Sequence, residues 1–531
     1  MIRYRLKFQL PKRILHFIPV VFVFGVLYVV LVNYYQNAPI LSVEMFPTYD
    51  DSFRHVVEDV QVKSCLLNCN NVIPGYTQIP IKPINSWRRY FLQVKYLSPK
   101  EATRILTELS FSPLDEDDTD TLHAFESSTF TQVTLYKKYR INTADPVDEN
   151  LRIVRQLDVL QGNDDFQDRR PFWESFQVPG MTHQPIYPFI STLRISQKDS
   201  FTFTSELGEF YHLKATGIIN NKVEKFKILQ LSDLHFGLDK GYCSNGQSCK
   251  SDLRTLKFLL HVLLKEKPQV VVITGDLFDL HRIHYTDSSQ FKSVLLKGLQ
   301  PILQLKVPFI FSFGESELYN HHGQLAINEF KLSVINFLST LPFCYNTPPL
   351  DLSIYGKTNY NLRVVNQDTD EQAMITVLDS ELDKITDSQI NFVHRLDAAK
   401  YKLLFFHFPI PQFRPIGKFK IVGSYNEKHP LITETNRKFQ QDFVKCGYQV
   451  ISVGHEHEND ACLLSKSDDN KQLWLCYSGV SGDSGQTKLN QNFDRRVRLF
   501  EINWKEAKML SWKVRESDGK GFDYQLIYQL T

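Results

Sequence analysis

The sequence predicts an α/β domain from residue 225 to 531, built on a buried β sheet and preceded by a β-rich accessory region over 88–220. Three observations predict it. From Lys225 onward, apolar runs alternate with stretches of helical periodicity. Several of those runs end in Asp, His or Glu. Before Lys225, short strand-like runs alternate with loops and carry no such endings.

Taken in order, KFKILQLSD from Lys225 reads as a buried strand running into a polar loop. Residues 251–266 have helical spacing, and QVVVITGD at 269–276 is a second buried strand. A helix is predicted over 287–305, then VPFIFSFG at 307–314 as a third strand. MITVLDS, KLLFFHF and YQVISVGH follow, each apolar and ending in polar residues. Strands alternating with helices imply a sheet covered on both faces. In such sheets the ligand site lies beyond the carboxyl ends of the strands. In the accessory region, RRYFLQVKYL at 88–97, FTQVTLYKKYRI at 130–141 and SFTFTSELGEFYHLKATG at 200–217 are strand-like, and PLDEDDTD at 113–120 is a solvated loop. Residues 34–87, broken by Pro39, Pro47, Pro74, Pro80 and Pro83, read as an extended stalk.

The chain of 531 residues suits two or three domains. Lys+Arg 61 against Asp+Glu 59 leaves no basic field for nucleic acid, so no nucleic-acid partner is expected. Residues 14–33 are an apolar run with His16 as its ionisable side chain, long enough to cross a bilayer. They are expected to form an uncleaved transmembrane anchor behind a basic tail, 1–13, that carries Arg3, Arg5, Lys7, Lys12 and Arg13. The positive-inside rule puts that tail in the cytosol and the large domain on the lumenal side of an endomembrane or vacuole. The absence of any Asn-x-Ser/Thr sequon pulls the other way. Cys65 with Cys69, and Cys243 with Cys249, are spaced for short-loop disulfides, with free thiols in a reducing compartment as the alternative.

The polar residues at the strand ends form an ordered series. The first strand delivers Asp233 and His235, the second Gly275-Asp276, a later one His407, and the last Gly454-His455-Glu456-His457. Carboxylate oxygen with neutral imidazole nitrogen suits zinc, iron or manganese. Asp-x-His places two side chains on one side of an extended segment, so both reach one ion. A single carboxylate such as Asp276 can bridge two ions. The expected cofactor is therefore a pair of divalent or trivalent metal ions, at one edge of one sheet.

SDLHFG, TGDLFD, FFHFP and GHEHEND resemble the signature blocks of the calcineurin-like metallophosphoesterases, over residues 225–505. The ending LWLCYSGVSGDSG with DRRVRLFEIN resembles a fungal membrane-anchored subgroup that includes a dosage-dependent cell-cycle regulator of budding yeasts. The resemblance implies a four-layer α/β/β/α sandwich. It implies that Asp233, His235 and His457 hold the first metal, that Asp276 bridges, and that His407 and His455 hold the second. His407 and Asp276 are then the residues on which catalysis depends. The family's Gly-Asn-His-Asp/Glu block departs here to Gly314-Glu315-Ser316-Glu317. Glu315 stands at the position of a metal-ligating Asn and is a candidate ligand that lowers the charge of the centre. Ser316 stands at the position of the usual proton donor, and a hydroxyl cannot replace imidazole as a general acid near neutral pH. His321 and His322 are candidates to swing into the site, or are plain surface-loop residues. His281 and His284, after the bridging aspartate, are candidate phosphate contacts. Two functions follow from the resemblance and its departures. One is a metal-dependent phosphatase with impaired chemistry, acting on a phosphorylated protein or a small phosphate ester. The other is an inactive, membrane-tethered binding or regulatory protein.

Overall fold

The computed structural model describes residues 23–25, 27–28 and 48–529, apart from segments at 66–71, 82–88, 115–122, 131–132, 144–147, 180–185, 242–248, 281–287, 319–323, 381–383, 415–418, 427–437 and 487–493. The anchor expected at 14–33 lies outside the described residues except for helical positions 23–25 and 27–28, and the tail 1–13 lies wholly outside them. Among the described residues, no helix is long and apolar enough to cross a membrane. The solvated loop expected at 113–120 lies mostly outside them too.

Among the described residues the accessory part holds a short helix, α1 (Tyr49–Phe53), and nine strands: β1 (Val56–Cys65), β2 (Thr77–Ile81), β3 (Arg89–Leu97), β4 (Arg104–Ser110), β5 (His123–Phe130), β6 (Val133–Ile141), β7 (Ile153–Gly162), β8 (Trp173–Gln177) and β9 (Tyr187–Ile195). They form three antiparallel sheets, ordered β1-β3-β2, β4-β6-β5 and β7-β9-β8. One apolar cluster, with Val60, Leu92, Leu135 and Val159, joins all three. Two expectations are corrected here. The stalk read over 34–87 contains β1 and β2, which flank β3, because Val57, Val60 and Ile81 are buried against it. Pro80 is tolerated because β2 is an edge strand. The strand-like run at 200–217 is instead most of helix α2 (Gln197–Thr216). The Ser196 hydroxyl caps it by accepting from the Asp199 amide at 3.0 Å, and Gly217 ends it at φ 64°. Phe203, Leu207 and Phe210 recur at helical spacing on its buried face.

The second part contains strands β10 (Ile218–Asn221), β11 (Lys225–Leu231), β12 (Val270–Thr274), β13 (Phe309–Ser312), β14 (Tyr360–Asn366), β15 (Gln372–Val377), β16 (Tyr401–Phe405), β17 (Ile421–Val422), β18 (Val450–Val453), β19 (Cys462–Lys466), β20 (Gln472–Tyr477), β21 (Arg496–Asn503), β22 (Lys508–Arg515) and β23 (Gly521–Gln529). Its helices are α3 (Ser251–Glu266), α4 (Ser288–Gln304), α5 (Gln324–Thr340), α6 (Asp387–His394) and α7 (Phe439–Lys445). The strands form two sheets, not one: β13-β12-β11-β21-β22-β23 and β10-β14-β15-β16-β18-β20-β19-β17.

Alternation along each strand explains the layering. Ile228, Val272 and Ile310 of the six-stranded sheet pack against Ile375, Leu403, Phe405 and Val450 of the eight-stranded sheet. The opposite faces, Leu229, Val271, Ile273 and Phe311, pack under Leu259, Val262, Leu295 and Val334 of α3, α4 and α5. On the far side Leu404, Ile451 and Val453 pack under Ile390 and Val393 of α6 and Phe443 of α7. The order is helix, sheet, sheet, helix. Because every central strand is buried on both faces, its run of apolar residues carries no mark of which sheet it joins. The accessory part is fixed to α4 by a Lys292–Asp158 ion pair at 2.9 Å and a Gln161 amide to Ser293 hydroxyl bond at 2.8 Å.

Candidate metal centre

The ligand-bearing segments leave the carboxyl ends of five parallel strands, three in one sheet and two in the other. β11 runs into Asp233 and His235, β12 into Asp276, and β13 into Glu315, Ser316 and Glu317. β16 runs into His407, and β18 into His455 and His457. The first two segments stay paired past their strands: the Asp233 amide donates to the Gly275 carbonyl at 3.2 Å and the His235 amide to the Asp276 carbonyl at 2.9 Å. Asp233, His235, Asp276 and His455 all have left-handed backbone, at φ 55°, 49°, 53° and 70°. That conformation costs an L residue roughly 1–2 kcal/mol, and it turns each side chain off its strand into the space between the sheets' ends. Gly454 is needed for room rather than for φ, since a Cβ there would meet the Ser232 hydroxyl at 1.9 Å. Gly275 combines both demands, with φ 82° and the His407 Nδ1 at 2.5 Å from any Cβ.

These segments assemble two ligand sets. The first is Asp233, His235, Asp276 and His457; the second is Glu315, His407 and His455. In the first, His235 Nε2 and His457 Nε2 point at each other at 3.2 Å, and His457 Nε2 lies 3.6 Å from Asp233 Oδ1. In the second, Glu315 Oε2 is 2.5 Å from His407 Nε2 and Oε1 is 2.8 Å from His455 Nδ1. Asp276 Oδ2 stands between them, 3.5 Å from His235 Nε2 and 3.8 Å from His407 Nε2. Every ligand expected from the sequence is therefore brought together, including Glu315. Ser316 donates its hydroxyl to Asp276 Oδ2 and its amide to Oδ1, each at 2.9 Å, and its hydroxyl is 3.3 Å from His235 Nδ1.

The donor set fits a pair of metal ions on a direct observation. Asp233 Oδ2 is buried and has no hydrogen-bond partner. An orphaned carboxylate oxygen in such a place costs several kcal/mol unless a cation meets it. The imidazoles are oriented for the same purpose. His407 Nδ1 faces the Thr274 carbonyl at 2.8 Å, and His457 Nδ1 faces the Gln486 carbonyl, so each donates there and turns Nε2 toward the centre as the atom that an ion would displace a proton from.

Electrostatics agree. Burial and the neighbouring His457 charge push His235 down to about 3, which keeps the imidazole neutral, as a metal ligand must be. Burial and then the Glu315 charge raise Asp276 well above the carboxylate range. Burial alone would raise Asp233 too, but its hydrogen bond with His457 and that histidine's charge hold it low. Burial likewise opposes ionisation of Glu315 and His407. Their mutual attraction wins, lowering Glu315 and raising His407. Carboxylates this close demand positive charge between them.

Sequence reasoning missed Glu317. It is fully buried, and its carboxylate accepts the amides of Asp276 (3.0 Å), Leu277 (2.5 Å), Phe278 (3.3 Å) and Gly314 (2.7 Å). It therefore ties the bridging segment to the Glu315 segment. The signal was present, as the last residue of Gly-Glu-Ser-Glu. The network around Glu456 was also missed: this buried carboxylate, between His455 and His457, pairs with Arg414 and accepts the Asn459 side-chain amide at 2.6 Å. Of the other expected contacts, His281, His284, His321 and His322 lie outside the described residues. A disulfide joins Cys462 and Cys476, opposite each other on β19 and β20. Cys249 is disulfide-bonded, while Cys69 and Cys243 lie outside the described residues.

Residues 226–459 match the calcineurin-like phosphoesterase family. Protein SIA1 of Kluyveromyces lactis is 31% identical over 396 residues, covering 71% of this chain and 63% of that protein. Phosphatase DCR2 of Saccharomyces cerevisiae is 32% identical over 337 residues, covering 57% of this chain and 56% of its own length. The protein named "Probable inactive purple acid phosphatase 28" of Arabidopsis thaliana is 26% identical over 337 residues, covering 54% of this chain and 80% of its own length. The chain thus spans less than two thirds of the length of either yeast protein.

Proposed function

We propose, from the match of residues 226–459 to the calcineurin-like phosphoesterase family, that the chain is a metal-dependent phosphatase of phosphate monoesters, weakened toward esters with poor leaving groups. One observation carries the reading: two adjacent sets of carboxylate and imidazole donors, Asp233-His235-Asp276-His457 and Glu315-His407-His455, with Asp276 Oδ2 3.8 Å from His407 Nε2 of the second. Asp233, His235 and His457 would hold one ion, Glu315, His407 and His455 the other, and Asp276 would bridge. Bound there, two ions polarise phosphoryl oxygens and supply a nucleophile from water at neutral pH.

The protein's own groups set the limits of the chemistry. Thr274 and Gln486 carbonyls hold Nδ1 of His407 and His457, so with ions bound at Nε2 these rings would have no proton to give a leaving group. Ser316 presents a hydroxyl already donated to Asp276. It can hold a hydrogen bond but cannot deliver a proton to a departing alkoxide, a loss of about 10²–10⁴ in rate for substrates that need one. Aryl phosphates, whose leaving groups depart without that proton, are the favoured substrates. The similarity to Phosphatase DCR2 supports a phosphatase. The name of the Arabidopsis relative and the Ser316 hydrogen bond support a second reading, a regulatory protein that keeps the framework and has lost turnover.

The test is hydrolysis of an aryl phosphate and an alkyl phosphate by the full-length protein supplied with manganese, zinc or iron. Metal-dependent aryl turnover that disappears in His407→Ala supports the phosphatase. A silent wild type, with turnover appearing when Glu315→Asn and Ser316→His are combined, overturns it in favour of the regulatory reading. Membrane attachment through residues 14–33, with the domain on the lumenal side, is part of the proposal. The Cys462–Cys476 bridge supports an oxidising compartment. Protease protection of the domain in sealed microsomes checks it, and digestion without detergent refutes it.

A further inference from the structure

The accessory part lies outside residues 226–459, which match the phosphoesterase family, yet one of its side chains reaches the segment that carries His235. After His235, the carbonyls of Gly237, Leu238 and Asp239 are all met by buried donors. Lys297 of α4 donates to the Gly237 carbonyl at 2.9 Å and to the Asp239 carbonyl at 2.5 Å. Its charge is met by Asp252 Oδ2 at 2.7 Å, which also accepts the Gly237 amide at 3.3 Å. The carbonyl between them, that of Leu238, accepts from Asn163 Nδ2 at 3.2 Å. Asn163 follows directly on β7 and is buried. Its own place is fixed: Oδ1 accepts the Asp165 amide at 2.8 Å, and its carbonyl accepts the Phe166 amide at 3.0 Å. Phe166, Tyr187 and Phe189 of the accessory part share one apolar cluster with Leu234, Phe236 and Leu238. At the rim of this contact Asp164 pairs with Lys240 at 3.1 Å.

We infer that the accessory part helps to build the metal centre, and that Asn163 is a positioning residue acting through Leu238 on His235. The inference rests on the two-ion reading above. A buried carbonyl that loses its donor is costly, and the segment can recover that cost only by moving toward water. His235 is three residues from Leu238 and is tied by its amide to the Asp276 carbonyl at 2.9 Å. A shift of the segment is therefore carried to its ring. Glu315, His407 and His455 follow other strands, β13, β16 and β18. Loss of the Asn163 donor should be felt by the ion on the Asp233 side and not by the other.

The experiment uses the full-length protein stripped of metal and titrated with Co²⁺, whose visible absorption reports its ligands, and elemental analysis counts the ions. Asn163→Leu keeps the size of the side chain and removes the donor. Wild type should hold two cobalt ions per chain, one for each ligand set. The variant should keep one at wild-type affinity and bind the other about tenfold more weakly. The spectrum of its tighter ion should match that of the ion kept by His235→Ala. Lys292→Met cuts the ion pair with Asp158, which joins the accessory part to α4 elsewhere, and should move neither ion. Unchanged binding of both ions in Asn163→Leu overturns the inference and leaves the two-ion reading standing. Equal weakening of both ions overturns it too, since that marks a merely structural role. Failure of wild type to bind cobalt removes both readings. Coupling between two places is reciprocal, so wild type alone supplies a second test. Cobalt should slow amide hydrogen exchange over residues 160–166 several-fold, and unchanged exchange there overturns the inference even if Asn163→Leu fails to fold.

Discussion

Glu317→Gln should separate the scaffold of the centre from its ligands. The carboxylate accepts four buried amides, two on each oxygen: Leu277 and Phe278 on Oε1, Asp276 and Gly314 on Oε2. A glutamine keeps one oxygen and turns an NH₂ toward the other pair. Two buried N–H groups then lose their acceptor, at about 1–3 kcal/mol each, so a loss of roughly 2–6 kcal/mol is expected. The change is nearly isosteric, so no cavity contributes. The assay is guanidinium unfolding of metal-free protein, run above the pKa of about 7 to which burial pushes Glu317, so that the wild-type group is a carboxylate. A second readout is metal content after loading. Asp276 should drift from its bridging place once its amide is released, so the variant should hold fewer ions than wild type. Stability within about 0.5 kcal/mol of wild type, with an unchanged metal load, would refute the claim that Glu317 holds the two segments together.

Gly454→Ala should abolish metal uptake while leaving most of the fold, because its Cβ would meet the Ser232 hydroxyl at 1.9 Å and Asp233 Oδ2 at 3.0 Å; elemental analysis and circular dichroism decide. His235, held down to about 3 by burial, stays neutral in the folded, metal-free chain while the unfolded chain takes up a proton below about 6.5. Acid therefore favours unfolding in that window, by about 1.4 kcal/mol per pH unit. Metal-free wild type should lose about 2 kcal/mol relative to His235→Asn between pH 7 and 5, and parallel stability curves would contradict this. Cys462→Ser should cost about 3 kcal/mol, from the 14-residue separation that its bridge closes. Dithiothreitol, which also reduces the bridge at Cys249, should lower wild-type stability more than the variant's, by about the same 3 kcal/mol.

The strands that carry the ligands were legible because each is a short apolar run that ends abruptly in Asp, Glu or His. Their division between two sheets followed from the family resemblance and not from the runs themselves, since Ile228 and Leu229, or Val271 and Val272, are equally apolar although they face different layers. Helix α2 was hidden by its Phe and Thr residues, which favour strands. The Ser196 cap and the Phe203, Leu207 and Phe210 spacing outweigh that local preference. Strands β1 and β2 were hidden by the prolines around them. The Cys462–Cys476 bridge was unreadable, because it depends on β19 and β20 pairing antiparallel in one register. The roles of Glu315 and Ser316 were legible as departures from a motif, but their contacts were not.

The geometry separates two questions that Ser316 tends to merge. Losing an imidazole at that position removes a proton donor, yet it disturbs no ligand. The centre still places Asp233, His235, Asp276 and His455 in left-handed backbone, a conformation that each holds at a cost of roughly 1–2 kcal/mol. Glu317 supplies four amide bonds that hold two of the segments in that arrangement, and Ser316 itself donates to both oxygens of Asp276. In a site with no use for ions, relaxing those four residues would recover stability. The hydroxyl that replaces imidazole is thus integrated into the bridging carboxylate, where a bulkier ring would need different neighbours. Ion binding and proton donation are independent properties of this centre, so an assay of one is not an assay of the other. Metal content has to be measured alongside turnover, and a full complement of ions with slow turnover is the combination that the geometry favours.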